Sequence, residues 1–222
     1  MAIIISCVNQ KGGVGKSTLT LNLAAALAEL PARVLVVDCD SQQTAVKLIG
    51  GATGESPFPA AVISLHSAEN KLGELLRPHA ENYDFIVIDG PPSHLSKVTR
   101  AAVACSDLVL LPTIPAKPDL LATAETAELL KELEQRLDRE LNAYVVVNQA
   151  ERTRIKRMFD GVVADSIPYP VLQTEVRKRT SYRESAAVGG SVLTSGDQEA
   201  ASDMRALRDE VLSKVHHEGA SE

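Results

Sequence analysis

Apolar residues fall along this chain in short runs of two kinds. Five runs are brief and rich in β-branched side chains: AIIISCV near the start, then RVLVVDCD, DFIVID, DLVLLPTI and AYVVVNQ. None alternates apolar with polar residues, so each has the length and pattern of a strand covered on both faces. Between them, in STLTLNLAAALAEL and LLATAETAELLKELEQRL, apolar residues recur at three- and four-residue intervals, the period of a helix with one buried stripe. Ala200, Met204, Leu207, Val211 and Val215 repeat at the same spacing and predict a last helix with a packing face. Strand and helix therefore alternate through most of the chain, which predicts an α/β fold: a mostly parallel twisted sheet with helices on both faces. GGATGESPFPAA and VGGSVLTSGDQ have loop composition, the second separating the last two helical stretches. Neither reads as a domain linker, and no repeat or heptad run is present. One domain over residues 1–222 is expected.

Composition narrows this picture only a little. With 222 residues, 45% of them hydrophobic, the chain can bury one substantial core. No run approaches the roughly 18 to 20 apolar residues of a membrane span. The first strand has no basic leader before it and no cleavage site after it, so a soluble cytoplasmic protein is expected. The three cysteines lack metal-ligand spacing and fit a reducing compartment. Cys7 and Cys39 sit in apolar runs and read as small buried hydrophobes. The formal charge of −6 argues against a uniformly basic nucleic-acid binder, though it leaves a local patch open.

The candidate chemistry begins directly after the first strand, in CVNQKGGVGKSTLTLNLAAAL. Strand, glycine-rich turn and helix occur in the order of a phosphate-binding loop, G-x-x-x-x-G-K-[ST]. Residues Gly12, Gly13, Val14, Gly15, Lys16, Ser17 and Thr18 form the expected cradle. Its glycines let backbone N–H groups curl round an anion. Lys16 supplies a point charge to the β- and γ-phosphates, Ser17 offers a hydroxyl to Mg²⁺, and the helix starting near Ser17 adds its positive dipole end. Two features depart from the pattern: Gln10 stands where the opening glycine belongs, and Lys11 adds a second lysine. A loop that already has its own lysine gives Lys11 no evident intramolecular partner, and its repulsion from Lys16 is relieved by further anionic charge. A second nucleotide's phosphates would supply that charge.

Three aspartates end strands at what should be the same edge. Asp89 closes YDFIVID, at the carboxyl edge where open α/β sheets bind ligands. Asp38 and Asp40 close VVDCD, and the alternation of a strand points both side chains the same way. Two like charges so placed are costly unless a cation or hydrogen bonds answer them.

KGGVGKST, VLVVDCDSQ and YDFIVIDGPPS, in this order and spacing, resemble the deviant Walker P-loop ATPases, the family of ParA partition proteins, MinD and the nitrogenase iron protein. DLVLLPTIPAKPDL and VVVNQ are also similar to ParA segments, and the small size resembles the short plasmid ParA proteins, such as ParF. The resemblance implies ATP and Mg²⁺ as cofactors and hydrolysis of ATP. It implies that Lys11 reaches across a homodimer to the phosphates of the partner's ATP. Lys16 takes the usual phosphate role, Asp40 orients the attacking water with Asp38 in support, and Asp89 matches the Walker B acid. Lys11, Lys16 and Asp40 are then the catalytic set, Ser17, Asp38 and Asp89 the metal set, and Asn148 the contact to adenine. Ser41 replaces a frequent proline after the second aspartate, and Ser17 a frequent threonine; neither change removes a functional group.

Family members differ in what the ATP-bound dimer sits on. Arg152, Arg154, Lys156 and Arg157, with Arg177, Lys178, Arg179 and Arg183, form a basic island in an acidic chain. Such an island either neutralises DNA phosphates without reading sequence or is a pair of solvated helix faces. The C-terminal segment mixes acids among its bases, unlike a membrane-binding amphipathic helix, so no membrane partner is expected. The first reading is a partition ATPase: a homodimer on ATP binding, non-specific DNA, a ParB-like centromere-binding adaptor, and a cytoplasmic, nucleoid-associated location. The alternatives are the same cycle with another cargo (a carboxysome, a chemotaxis cluster or a conjugation complex), MinD-like membrane cycling, and a metabolic ATPase, for which Lys11 has no evident use. PTIPAKPDL is either an interface loop or a connector between strand and helix.

Overall fold

The computed structural model describes residues 1–51, 57–92, 96–151 and 167–216. In chain order its elements are β1 (Ile3–Cys7), α1 (Lys16–Leu27), β2 (Val34–Asp38), α2 (Thr44–Gly50), β3 (Ala61–Ser64), α3 (Leu72–Ala80), β4 (Phe85–Asp89) and α4 (Lys97–Ala104). They continue with β5 (Leu108–Thr113), α5 (Lys117–Leu137), β6 (Ala143–Ala150), β7 (Val176–Arg177), α6 (Ser181–Ala187) and α7 (Gln198–His216). The strands form one seven-stranded sheet in the order β3-β2-β4-β1-β5-β6-β7. Every ladder in it is parallel.

The β-branched runs are central because both of their faces are covered. Along β2 and β4, Val36 and Val87 face a core with α1 and α7, while Leu35, Val37, Ile86 and Ile88 face a core with α3 and α4. Val109, Leu111, Val145 and Val147 pack against Leu120, Ala127 and Leu130 of α5 in a third cluster. Leu23, fully buried in the first of these, would cost about 2 to 5 kcal/mol if cut to alanine. The predicted last helix is observed: Ala200, Met204, Leu207 and Val211 are buried and Val215 packs against the same core.

Two strands escape the hydrophobic pattern. β3 is four residues long, only half-covered at the sheet edge, and follows directly on the proline-rich loop composition that masks it. Gly50 and Ala61, the ends of that loop-like stretch, belong to α2 and β3, and residues 52–56 lie outside the described residues. β7 has two residues, so EVRKRTSYRES is a short edge strand, a turn and the start of α6 rather than one helix face. VGGSVLTSGDQ does join α6 to α7, yet it is anchored: Val192 is fully buried, and its N–H donates to Asn22 Oδ1 at 2.8 Å.

Register sets up the functional edge. Cys7, the last residue of β1, pairs with Asp89, and Asp89 pairs with Asp38 on the other side. From β1 the chain runs outward to β2 and β3, returns to β4 beside β1 and then crosses to β5 on the other side, so the loop after β1 leaves the sheet at its switch point.

Candidate functional site

Residues 8–15 carry the chain from β1 to α1, and the conformation needed there selects glycine at two places. Gly13 and Gly15 have φ of 82° and 91°, in the left-handed region. A Cβ on Gly15 would also stand 2.3 Å from Asn148 Nδ2. Gly15 caps α1, whose first turn carries no acidic residue and no side-chain cap. Its backbone N–H groups are thus available to an anion. Gln10 has no such backbone demand: its N–H donates to Thr126 Oγ1 at 3.3 Å, so α5 holds the position. Neighbouring bonds tie the loop to the same helix and to β5. Lys11 N–H donates to Asn9 Oδ1 at 2.9 Å, and Asn9 Nδ2 donates to Pro112 O at 2.9 Å and Thr123 Oγ1 at 3.0 Å.

The two lysines of the loop are placed differently. Lys16 is buried, and its Nζ donates to Lys11 O at 3.0 Å. Burial pushes its pKa down, with the carboxylates of Asp89 and then Asp40 acting in the opposite sense. Lys11 Nζ lies 2.8 Å from Asp119 Oδ1. This corrects the expectation that Lys11 lacks an intramolecular partner. Asp119 lies in the first turn of α5, at the end of the segment PTIPAKPDL, and only the fold brings it to the loop.

The three strand-end aspartates also divide. Asp38 Oδ1 accepts the N–H of Asp40 at 3.0 Å and its Oδ2 accepts the N–H of Val46 at 3.1 Å, so it closes the turn into α2. Burial raises its pKa, and those backbone hydrogen bonds oppose the rise. Asp40 Oδ1 accepts the N–H of Gln42 at 2.9 Å, and its other oxygen has no hydrogen-bond partner among the described residues. Asp89 is fully buried, and neither of its oxygens has a hydrogen-bond partner among the described residues. Burial pushes its pKa up to about 7; the charges of Asp38 and Asp40 add to this, while the nearby Ser17 hydroxyl and Lys16 draw it down. A buried carboxylate left in this way is costly unless a cation answers it. Of the predicted metal set, Ser17 and Asp89 are therefore open to an ion, whereas both oxygens of Asp38 are engaged by backbone.

A cavity of about 770 Å³ extends from Gly15 and Thr18 to the end of β6 and the turn between β7 and α6. Asn148 lies in β6, where its Nδ2 donates to Val14 O at 2.7 Å and its Oδ1 accepts the N–H of Gln149 at 3.0 Å. Arg177, Lys178, Arg179 and Arg183 line the same cavity. The first three are not a free basic face. Lys178 Nζ is 2.7 Å from Glu151 Oε1, Arg177 is 3.8 Å from Glu199, and Arg179 pairs with Glu199 and with Asp197. Arg152, Arg154, Lys156 and Arg157 lie outside the described residues. Sequence reasoning missed Asp119 and Gln149; nothing in the local sequence of either marks it.

A cradle of glycines and a lysine, a helix N-terminus, an unpaired buried carboxylate and an adjoining cavity suit a nucleotide, and relatives agree. The chain is 31% identical over 214 residues to the maintenance of carboxysome distribution protein A of Halothiobacillus neapolitanus, covering 95% of this chain and 97% of that one. It is 30% identical over 245 residues to the chromosome-partitioning ATPase Soj of Thermus thermophilus, covering 95% and 96%. Its fold superposes with a TM-score of 0.76 on the ATP complex of a variant McdA from Cyanothece, at 16% identity and over 95% of this chain and 96% of that one. Residues 5–192 match the model of the CobQ/CobB/MinD/ParA nucleotide-binding domain, and the chain belongs to that family of P-loop proteins.

Proposed function

We propose that this chain is a Mg²⁺-dependent ATPase that dimerises around ATP and uses the cycle to partition or position a cargo over nucleoid DNA. One observation carries the reading: the phosphate cradle holds two lysines, and Lys11 is parked on Asp119 rather than aimed at its own loop. ATP bound at Gly12 to Thr18 is met by backbone N–H groups and by Lys16, whose burial without a carboxylate in direct contact favours an arriving anion. Ser17 and Asp89 would hold Mg²⁺, which would supply positive charge beside the phosphates. Asp89 suits this role because its oxygens are buried and have no hydrogen-bond partner among the described residues. Asp40 has one oxygen fixed by the N–H of Gln42 and the other free to orient a water. Asp38 positions Asp40 and α2 through backbone bonds and is a positioning residue. A second chain's triphosphate then draws Lys11 from Asp119, which couples nucleotide to dimer.

Similarity to both Soj and a carboxysome distribution protein favours movement of a cargo over simple metabolic turnover. The cargo is DNA brought by a ParB-like adaptor, or a different body positioned by the same cycle. Because Arg177, Lys178 and Arg179 are paired with acids, non-specific DNA contact rests on Arg152, Arg154, Lys156 and Arg157. Gel filtration with and without Mg-ATP, followed by DNA binding at two salt concentrations, tests the reading. A dimer with ATP and salt-sensitive DNA binding that needs ATP are expected. DNA binding equal with and without ATP would count against it.

A further inference from the structure

The cavity beside the phosphate cradle is wide enough for more than phosphates, and its wall has a particular chemistry. Its cations are already answered by Glu151, Asp197 and Glu199, with only Arg183 lacking an acid partner among the described residues. Such a wall suits an uncharged planar group better than another anion. Asn148, the residue expected to contact adenine, has both ends of its carboxamide engaged, one by Val14 O and one by the N–H of Gln149. It works as a brace between β6 and the loop.

Gln149 is the opposite case. The β6–β7 register shifts between Asn148 and Ala150, so Gln149 is the extra residue of a bulge. Its φ is +55°, in the left-handed region where glycine is the usual occupant of such a position. Its side chain lines the cavity, and its Nε2 lies 3.9 Å from where a Cβ on Gly15 would stand. No described residue hydrogen-bonds to its carboxamide. A strained backbone that retains a large polar side chain, aimed without a partner into a ligand cavity, marks a site under functional constraint.

We infer that Gln149 reads the edge of the nucleobase and makes the site selective for adenine. This rests on the proposed ATP reading and names the residue that gives it specificity. A carboxamide presents one donor and one acceptor side by side, which matches the 6-amino group and N7 of adenine. A purine with a 6-oxo group presents two acceptors on that edge, O6 and N7, so whichever way the carboxamide turns its oxygen faces an acceptor. A site built to pair with a donor rejects the analogue lacking it, since its polar group is left unpaired.

The test uses the full chain with Mg²⁺ and compares binding of ATP, GTP and ITP by competition with a fluorescent nucleotide. Wild type is expected to favour ATP over GTP and ITP by about tenfold or more. Gln149→Gly suits the left-handed backbone and removes the carboxamide; it should bring that preference below about threefold, chiefly by weakening ATP. Gln149→Asn, which also tolerates that backbone, withdraws the carboxamide by one methylene and should give the same loss if the glycine variant fails to fold. Asn148→Ala should weaken all three nucleotides together. Retention of the ATP preference in Gln149→Gly, or its loss in Asn148→Ala alone, overturns the inference. Equal binding of the three nucleotides by wild type overturns it too and leaves the ATP-dependent dimer standing, whereas no binding of any nucleotide removes both.

Discussion

The two ends of the cleft treat charge in opposite ways. At the phosphate end, Lys16 and Asp89 are buried; among the described residues Lys16 donates to a carbonyl, and neither oxygen of Asp89 has a hydrogen-bond partner. At the far end, Lys178 and Glu151 are largely exposed and sit 2.7 Å apart, and Arg177 and Arg179 are likewise paired. Exposed pairs of this kind contribute about 0 to 1 kcal/mol, whereas unanswered buried charges cost far more. The phosphate end is organised for charges that a ligand brings; at the other end Arg177, Lys178 and Arg179 are already paired.

The sharpest test of this contrast sets Asp89 against pH in the nucleotide-free, Mg²⁺-free chain. Its carboxyl titrates near 3.8 unfolded and at about 7 folded, so between those values the folded chain binds more protons. Stability should fall as pH rises through that window and level off above it. At about 1.4 kcal/mol per unit, the fall amounts to a few kcal/mol. Asp89→Asn should flatten the slope in thermal melts at about pH 5 and about pH 8 and raise stability at the upper value. Asp38→Asn should instead destabilise by about 1 to 3 kcal/mol, because Asp38 accepts two backbone N–H groups. If the two variants behave alike, the division between these acids fails.

Next comes the cradle lysine. Lys16→Ala should weaken Mg-ATP binding by about tenfold to hundredfold, the worth of a charge-assisted bond to phosphate. A smaller effect is expected at Asp119. Asp119→Asn releases Lys11 and should lower the ATP concentration for half-maximal dimerisation by about three- to tenfold, the scale of a partly exposed ion pair. Smallest of all, Lys178→Ala should change ATP affinity by less than about twofold, because the cation is exposed and already paired. A large loss there would blur the comparison between the two ends.

The β-branched runs announced their strands because both faces of β2, β4 and β5 are buried, and the order of strand, glycine turn and helix announced the loop. β3 and β7 stayed hidden because an edge strand of four or two residues has too little apolar pattern to detect. Within the site, residue types at the cradle were legible, whereas partners were not. Nothing local tells Asp38 from Asp89, since both end apolar runs; backbone N–H groups of the following turn satisfy one and not the other. Asp119 looked like part of a connector, and its meeting with Lys11 depends on α5 packing beside the loop. Gln10, which breaks the glycine pattern, is explained by the same helix, since Thr126 holds its N–H without a left-handed turn.

In the proposed cycle Lys11 leaves Asp119 to complete the site of a second chain. Light scattering with saturating Mg-ATP measures it most directly. Wild type should shift from the 23.7 kDa of one chain to twice that mass, and Lys11→Ala should stay at one chain while still binding ATP. A Lys11→Ala variant that doubles its mass with ATP as readily as wild type would mean that Lys11 does not complete a second chain's site.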